Sequence, residues 1–120
     1  MNTDTIGRIV AELRGAFPDA KTAEDGNHTL VRLPVVPFPK GCKPDETEAL
    51  VVLTPGAAQP ELYVKAIPLR PDGGVPRSTG TTSVGGEAWC TFSYSVPWDE
   101  NRHTAMQFVL ARLGRFGRNE

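Results

Sequence analysis

Few side chains in this chain are equipped for covalent chemistry, and the thiols come first. Cys42 and Cys90 are the only two cysteines. A cysteine nucleophile needs partial exposure and surroundings that favour the thiolate. Cys42 lies in Lys40-Gly41-Cys42-Lys43-Pro44. Its cationic neighbours and its loop setting predict an exposed thiol, either reactive or incidental. Cys90 lies in Gly85-Gly86-Glu87-Ala88-Trp89-Cys90-Thr91-Phe92-Ser93, eight residues before Trp98. On composition it reads as a small buried hydrophobe of a strand. Its place directly after a long Gly/Pro-rich stretch also suits a site residue. His28, in Asp25-Gly26-Asn27-His28, reads as an exposed turn histidine, and His103 as an exposed residue in the first turn of a final helix. No Cys-x-x-Cys or His-x-x-x-His spacing occurs, so no structural zinc is expected. Asp45, Glu46 and Glu48 read as a solvated turn, and Asp99 with Glu100 as a helix start. Gly-x-Gly-x-x-Gly, a phosphate loop, Gly-x-Ser-x-Gly and His-Glu-x-x-His are all absent, and no cofactor is expected.

These residues must be positioned by one domain, residues 1–120. Thirteen Lys and Arg against fourteen Asp and Glu leave a net charge of -1. That balance offers no electrostatic footprint for nucleic acid or an anionic membrane. No apolar run approaches the ~20 residues of a membrane span. Met1 to Asp4 lacks the basic start of a signal peptide, so a cytoplasmic location is expected. Twelve glycines and eleven prolines argue against a helical bundle.

Ile6, Ile9, Val10, Leu13 and Phe17 form a one-sided stripe, which predicts a helix over Thr3 to Phe17 capped by Thr3 or Asp4. Four strands are predicted at Leu30 to Val36, Glu48 to Thr54, Leu62 to Leu69 and Glu87 to Tyr94. Arg70 to Gly86, rich in Pro, Gly, Ser and Thr, reads as a long irregular excursion. Asp99 is the expected cap of a last helix that buries Ala105, Met106, Val109, Leu110 and Leu113. Arg112, Arg115 and Arg118 would complement its dipole in solvent. The expected fold is α+β: an N-terminal helix, a four-stranded antiparallel meander, a long irregular segment and a C-terminal helix.

That order of parts resembles the ubiquitin-conjugating-enzyme-like (UBC-like) superfamily, in particular its small bacterial members. The likeness rests on Leu50-Val51-Val52-Leu53-Thr54-Pro55-Gly56 through Pro60-Glu61-Leu62-Tyr63-Val64, on Gly86 to Trp98, and on Trp98 followed by Met106, Val109 and Leu110. Trp89, Phe92, Ser93 and Trp98 also match the Trp-x-x-aromatic-Ser…Trp pattern of a bacterial subgroup. The resemblance implies a conjugating enzyme in which Cys90 accepts a ubiquitin-like protein as a thioester. Gly86, Thr91 and Trp98 would support the site, and Ser83, Thr91 or the Gly85 and Gly86 N–H groups would face the oxyanion. The implied partners are a ubiquitin-like protein, its activating enzyme and a protein substrate with a lysine. The His-Pro-Asn tripeptide of eukaryotic members is missing, and no asparagine between Arg70 and Gly86 replaces it. The alternative is a UBC-like variant that binds a ubiquitin-like protein or the activating enzyme without chemistry. A third possibility is an unrelated small α+β domain.

Overall fold

A helix must bury its apolar stripe, and here a sheet receives it. The computed structural model describes residues 1–93 and 96–117. Helix α1 spans Thr3–Ala16 and buries Ile6, Ile9 and Leu13. Its cap is Asn2, whose side-chain oxygen accepts from the Thr5 N–H at 2.8 Å, and not Thr3 or Asp4. Six strands follow: β1 Lys21–Asp25, β2 His28–Pro37, β3 Glu46–Leu53, β4 Glu61–Val64, β5 Thr79–Val84 and β6 Glu87–Phe92. They form one antiparallel sheet in the order β1-β2-β3-β4-β6-β5. Helix α2, Ala105–Gly114, and a short 3₁₀ turn at Arg115–Gly117 complete the order.

The α+β class holds, but the sheet has six strands rather than four. Both additional strands lie at its edges. β1 is exposed at every position. β5 reads Thr-Gly-Thr-Thr-Ser-Val, buries no residue fully, and lies inside the stretch expected to be irregular. Neither adds a fully buried residue, and only Val84 of β5 packs against a core cluster, so neither carries an alternating apolar pattern. They form because adjoining hairpin strands supply their hydrogen-bond partners. β4 is shorter than expected and ends at Val64. The expected strand end at Tyr94 lies outside the described residues. The ladder slips between Leu33 and Val36, where Pro34 has no N–H to offer.

The two faces of the sheet do different work. Val31, Val51 and Leu62 sit side by side on β2, β3 and β4 and face the helices. With Ile9, Leu13, Phe92, Val109, Leu113 and Phe116 they belong to the main core. On the other face Leu50, Val52 and Trp89 form a second cluster, joined by Leu30, Tyr63 and Val84.

Helix α2 differs from expectation at both ends. Its cap is Thr104 in a capping box with Gln107, not Asp99. Asp99 closes the preceding turn, which places His103 outside the helix. Leu110 is 46% exposed and lies off the buried stripe. Arg112, expected in solvent, is only 8% exposed. It donates to the Phe92 carbonyl at 2.9 Å, and its guanidinium sits 4.6 Å from the Phe92 ring centre. Burial holds its pKa below the ordinary arginine value. Arg118 lies outside the described residues. The helices are tied together where Glu12 accepts from the Ala105 N–H at 2.7 Å and Arg8 donates to the Glu100 carbonyl. Among the described residues no helix is long and apolar enough to cross a membrane.

Candidate functional site

Strand alternation decides where each candidate side chain can reach. Cys90 and Phe92 are two residues apart on β6, so they share the helix-covered face. Cys90 is half-buried and packs against the main core. Its backbone is held on both sides, opposite Val64 of β4 and Thr81 of β5. Its Sγ lies 3.6 Å from the Lys65 carbonyl, a weak sulfur hydrogen bond. Thr91, the next residue, necessarily points to the opposite face, and pairs with Gly80. Gly86 lies four residues away, about 13 Å at strand rise. With Gly85 it forms the β5–β6 turn. Both have positive φ, 58° and 81°, which left-handed geometry favours for glycine. Trp98 is half-buried, and its ring meets Phe108 of α2 edge-on at 5.3 Å. Ser83 lines a groove on the helix-free face with Asp25 and His28. The structure therefore spreads Cys90, Gly86, Thr91 and Trp98 over two faces and a turn.

Cys42 is not the exposed thiol its neighbours predict. It is 3% exposed, its Sγ lies 3.8 Å from the Phe116 carbonyl, and burial pushes the thiol up from its ordinary value. Lys40 and Lys43 flank it in sequence while the side chain turns into the core. His28 is likewise no free turn residue. It opens β2, and its Nδ1 lies 2.7 Å from Thr54 Oγ1. His103 Nδ1 accepts from the Asp99 N–H at 2.8 Å. Among the described residues, no three His, Cys, Asp or Glu side chains gather as a metal ion requires.

The densest constellation lies on the helix-free face, around Trp89. That residue is only 2% exposed although no helix covers it. Arg32 and Lys65 roof the indole, at 5.3 Å and 4.2 Å from its ring centre. Arg32 grips Glu48 through two bonds, at 2.8 and 2.9 Å, and Glu87 through two more, at 2.8 and 2.6 Å. Lys65 also pairs with Glu87. One lattice thus joins β2, β3, the residue after β4, and β6. The bridge from β2 to β6 crosses two intervening strands, so the sheet curls towards this face. Beside the lattice runs a groove of about 390 Å³ with Leu30, Leu50, Val84 and Trp89 among its lining residues. It adjoins a smaller one of about 220 Å³, where Tyr63 donates to Glu61. Burial and that bond push the Tyr63 hydroxyl up to about 12.

The lattice has a pH signature. Bonds from Arg32 and then Lys65 hold the Glu87 carboxyl down at about 2, and Glu48 is lowered by Arg32. A depressed carboxylate stabilises the fold above its unfolded pKa, near 4.5 for Glu87. That stabilisation drains as pH falls through the folded value. Thermal melts from pH 6 to pH 2 are expected to show the wild type losing stability below about pH 4.5. Glu87→Gln should melt lower at pH 7 and lose less on acidification. Parallel curves for the two proteins would contradict the lattice.

Sequence reasoning missed this constellation because its members read as ordinary charges on separate strands. One signal was present: Arg32, Glu48, Lys65 and Glu87 each stand in or beside a predicted strand, beside apolar residues that face the other way. Compared with protein-family models, with curated proteins and with solved structures, the chain matches none.

Proposed function

We propose that the domain is a UBC-like docking module, which holds a ubiquitin-like protein or its activating enzyme by surface contact and carries no acyl group. The observation that carries this reading is the setting of Cys90. Its strand is bonded on both sides, and its side chain packs on the helix-covered face. A thioester there would need room for a polypeptide end against packed side chains. The UBC-like part is supported by the order helix, meander, helix, and by Trp98 meeting Phe108 of the following helix. The partner's surface is assigned to the groove on the helix-free face. It offers an apolar floor, Lys21 and Arg32 at one end, and Asp25 and Glu61 at the other. Apolar centres with charged rims suit protein contacts.

A covalent carrier is the second reading, favoured by one fact: Cys90 is half-buried whereas Cys42 is sealed. In that case the Cys90 thiolate attacks the incoming thioester carbonyl and the activating enzyme's thiolate leaves. A lysine amine then attacks the new thioester, releases the Cys90 thiolate, and gives up its proton to solvent.

The docking reading is tested by recording amide spectra of the labelled domain while adding a bacterial ubiquitin-like protein and, separately, its activating enzyme. Saturable shifts centred on Leu30, Leu50, Val84 and Trp89 are expected with one of them. Unchanged spectra with both at about 1 mM, weaker than any functional affinity, would contradict it.

A further inference from the structure

What a groove can hold depends on which polar groups in its wall still have bonds to give. Between α2 and the segment before it lies a groove of about 520 Å³, within the size range of small-molecule sites. Trp98, Phe108 and Ala111 are among its apolar lining, and His103, Gln107 and Arg115 are its polar lining. The Trp98 ring meets Phe108 edge-on at 5.3 Å, and the His103 ring tilts against it at 6.1 Å, so the aromatic wall is a packed surface.

Each of the three polar side chains presents donors. His103 Nδ1 accepts from the Asp99 N–H at 2.8 Å, so the other ring nitrogen carries the proton. Gln107 Oε1 accepts from the Thr104 N–H at 2.7 Å in the capping box, which leaves the amide NH₂. Arg115 is a cation whose guanidinium only donates. No Asp or Glu is among the described lining residues. Asp99, beside the wall in sequence, turns its carboxylate to the Asn101 N–H at 2.9 Å. The two grooves of the helix-free face differ in this respect: Glu87 lines one, and Asp25 with Glu61 the other.

Gln107, Ala111 and Arg115 follow one another at intervals of four, along one edge of the groove. Arg115 still has helical backbone, φ -63° and ψ -24°. Helical side chains lean towards the N-terminus, which carries its stem back over Ala111 and towards Gln107. Gly114, also in the lining, adds no side chain to the floor. Donors beside an aromatic wall select an anionic group on an apolar body. One guanidinium matches the single charge of a carboxylate, which a phosphate monoester exceeds.

We propose that this groove binds a small organic carboxylate, with its apolar body against Trp98 and Phe108 and its carboxylate among His103, Gln107 and Arg115. The site shares no lining residue with the Trp89 groove and does not rest on a protein partner there.

Amide spectra of the labelled domain, recorded with 3-phenylpropanoate and with hexanoate, test this. Saturable shifts at Trp98, His103, Gln107 and Arg115 are expected below about 10 mM, with the Trp89 signals unmoved. The neutral amides of both acids should bind about 10-fold more weakly or worse, since they lose the charge-assisted bonds. Acetate, which has the charge without the body, should also bind that much more weakly. Gln107→Glu keeps a Thr-x-x-Glu capping box while it replaces a donor with negative charge. It should weaken binding of the acids about 10-fold or more, as should Arg115→Gln. Both variants should keep the wild-type circular dichroism spectrum. A loss in one variant alone supports the site and places the carboxylate at that residue. No saturable shift with either acid at about 10 mM would overturn the proposal. So would equal affinity for acids and amides, or wild-type affinity in both variants.

Discussion

Trp89→Ala should lower the unfolding free energy by about 3–5 kcal/mol, the usual range for deleting a fully buried large aromatic. That is a large share of the roughly 5–15 kcal/mol available to a domain. Three losses coincide. The indole is the largest member of the cluster on the helix-free face, and Leu50 and Val52 pack with it. Arg32 and Lys65 lose the ring they cover. The groove floor between β2 and β6 collapses or floods. Urea unfolding at constant slope reads the stability change. Binding of any partner to the groove should fall further than stability does, since the floor itself is gone. Trp89→Phe should recover much of both. A loss below about 1 kcal/mol would mean that the face is not a second core.

Phe116→Ala is expected to cost a similar amount, about 3–5 kcal/mol, from the other side of the sheet. Phe116 is 0% exposed. Its ring meets Phe38 edge-on at 5.3 Å and Phe92 at 4.7 Å. Its carbonyl accepts from the Cys42 thiol. The 3₁₀ turn thus pins the loop before β3, the end of β6 and α2 in one knot. The truncated protein should expose Cys42 to alkylation, while the Trp89 cluster keeps its fluorescence. Unchanged urea midpoints, with Cys42 still protected, would show that the turn is not part of the core.

The elements that bury an apolar stripe were legible from residue order: α1 from Ile6, Ile9 and Leu13, β3 from its apolar run, α2 from Val109 and Leu113. The edge strands were not. Lys21–Asp25 and Thr79–Val84 hold no fully buried residue, and Val84 alone leans on the Trp89 cluster, so hydrophobic periodicity is silent there and neighbouring hydrogen bonds define the strands. Cys42 and Arg112 failed for a related reason. Sequence neighbours say little about which way a side chain turns, and a guanidinium with a carbonyl partner and aromatic walls can be buried. Leu110 sits at the edge of the apolar stripe, where a turn of the helix by a few tens of degrees decides between core and surface. On the residues alone Cys90 reads as a small buried hydrophobe of a strand, and Cys90 and Trp98 enter as site residues only through the family resemblance. That Thr91 points away from Cys90 follows from strand geometry, but only once β6 is known to be a strand. The ion lattice over Trp89 depends on strand order, which no local pattern encodes.

The most direct measurement is the intact mass of the domain after incubation with a bacterial ubiquitin-like protein, its activating enzyme and ATP, under conditions where the amide titration shows binding. The docking account predicts a mass unchanged from the free chain. An adduct of the ubiquitin-like protein that a thiol reductant releases, and that Cys90→Ala abolishes while Cys42→Ala does not, would contradict it and establish Cys90 as the acceptor.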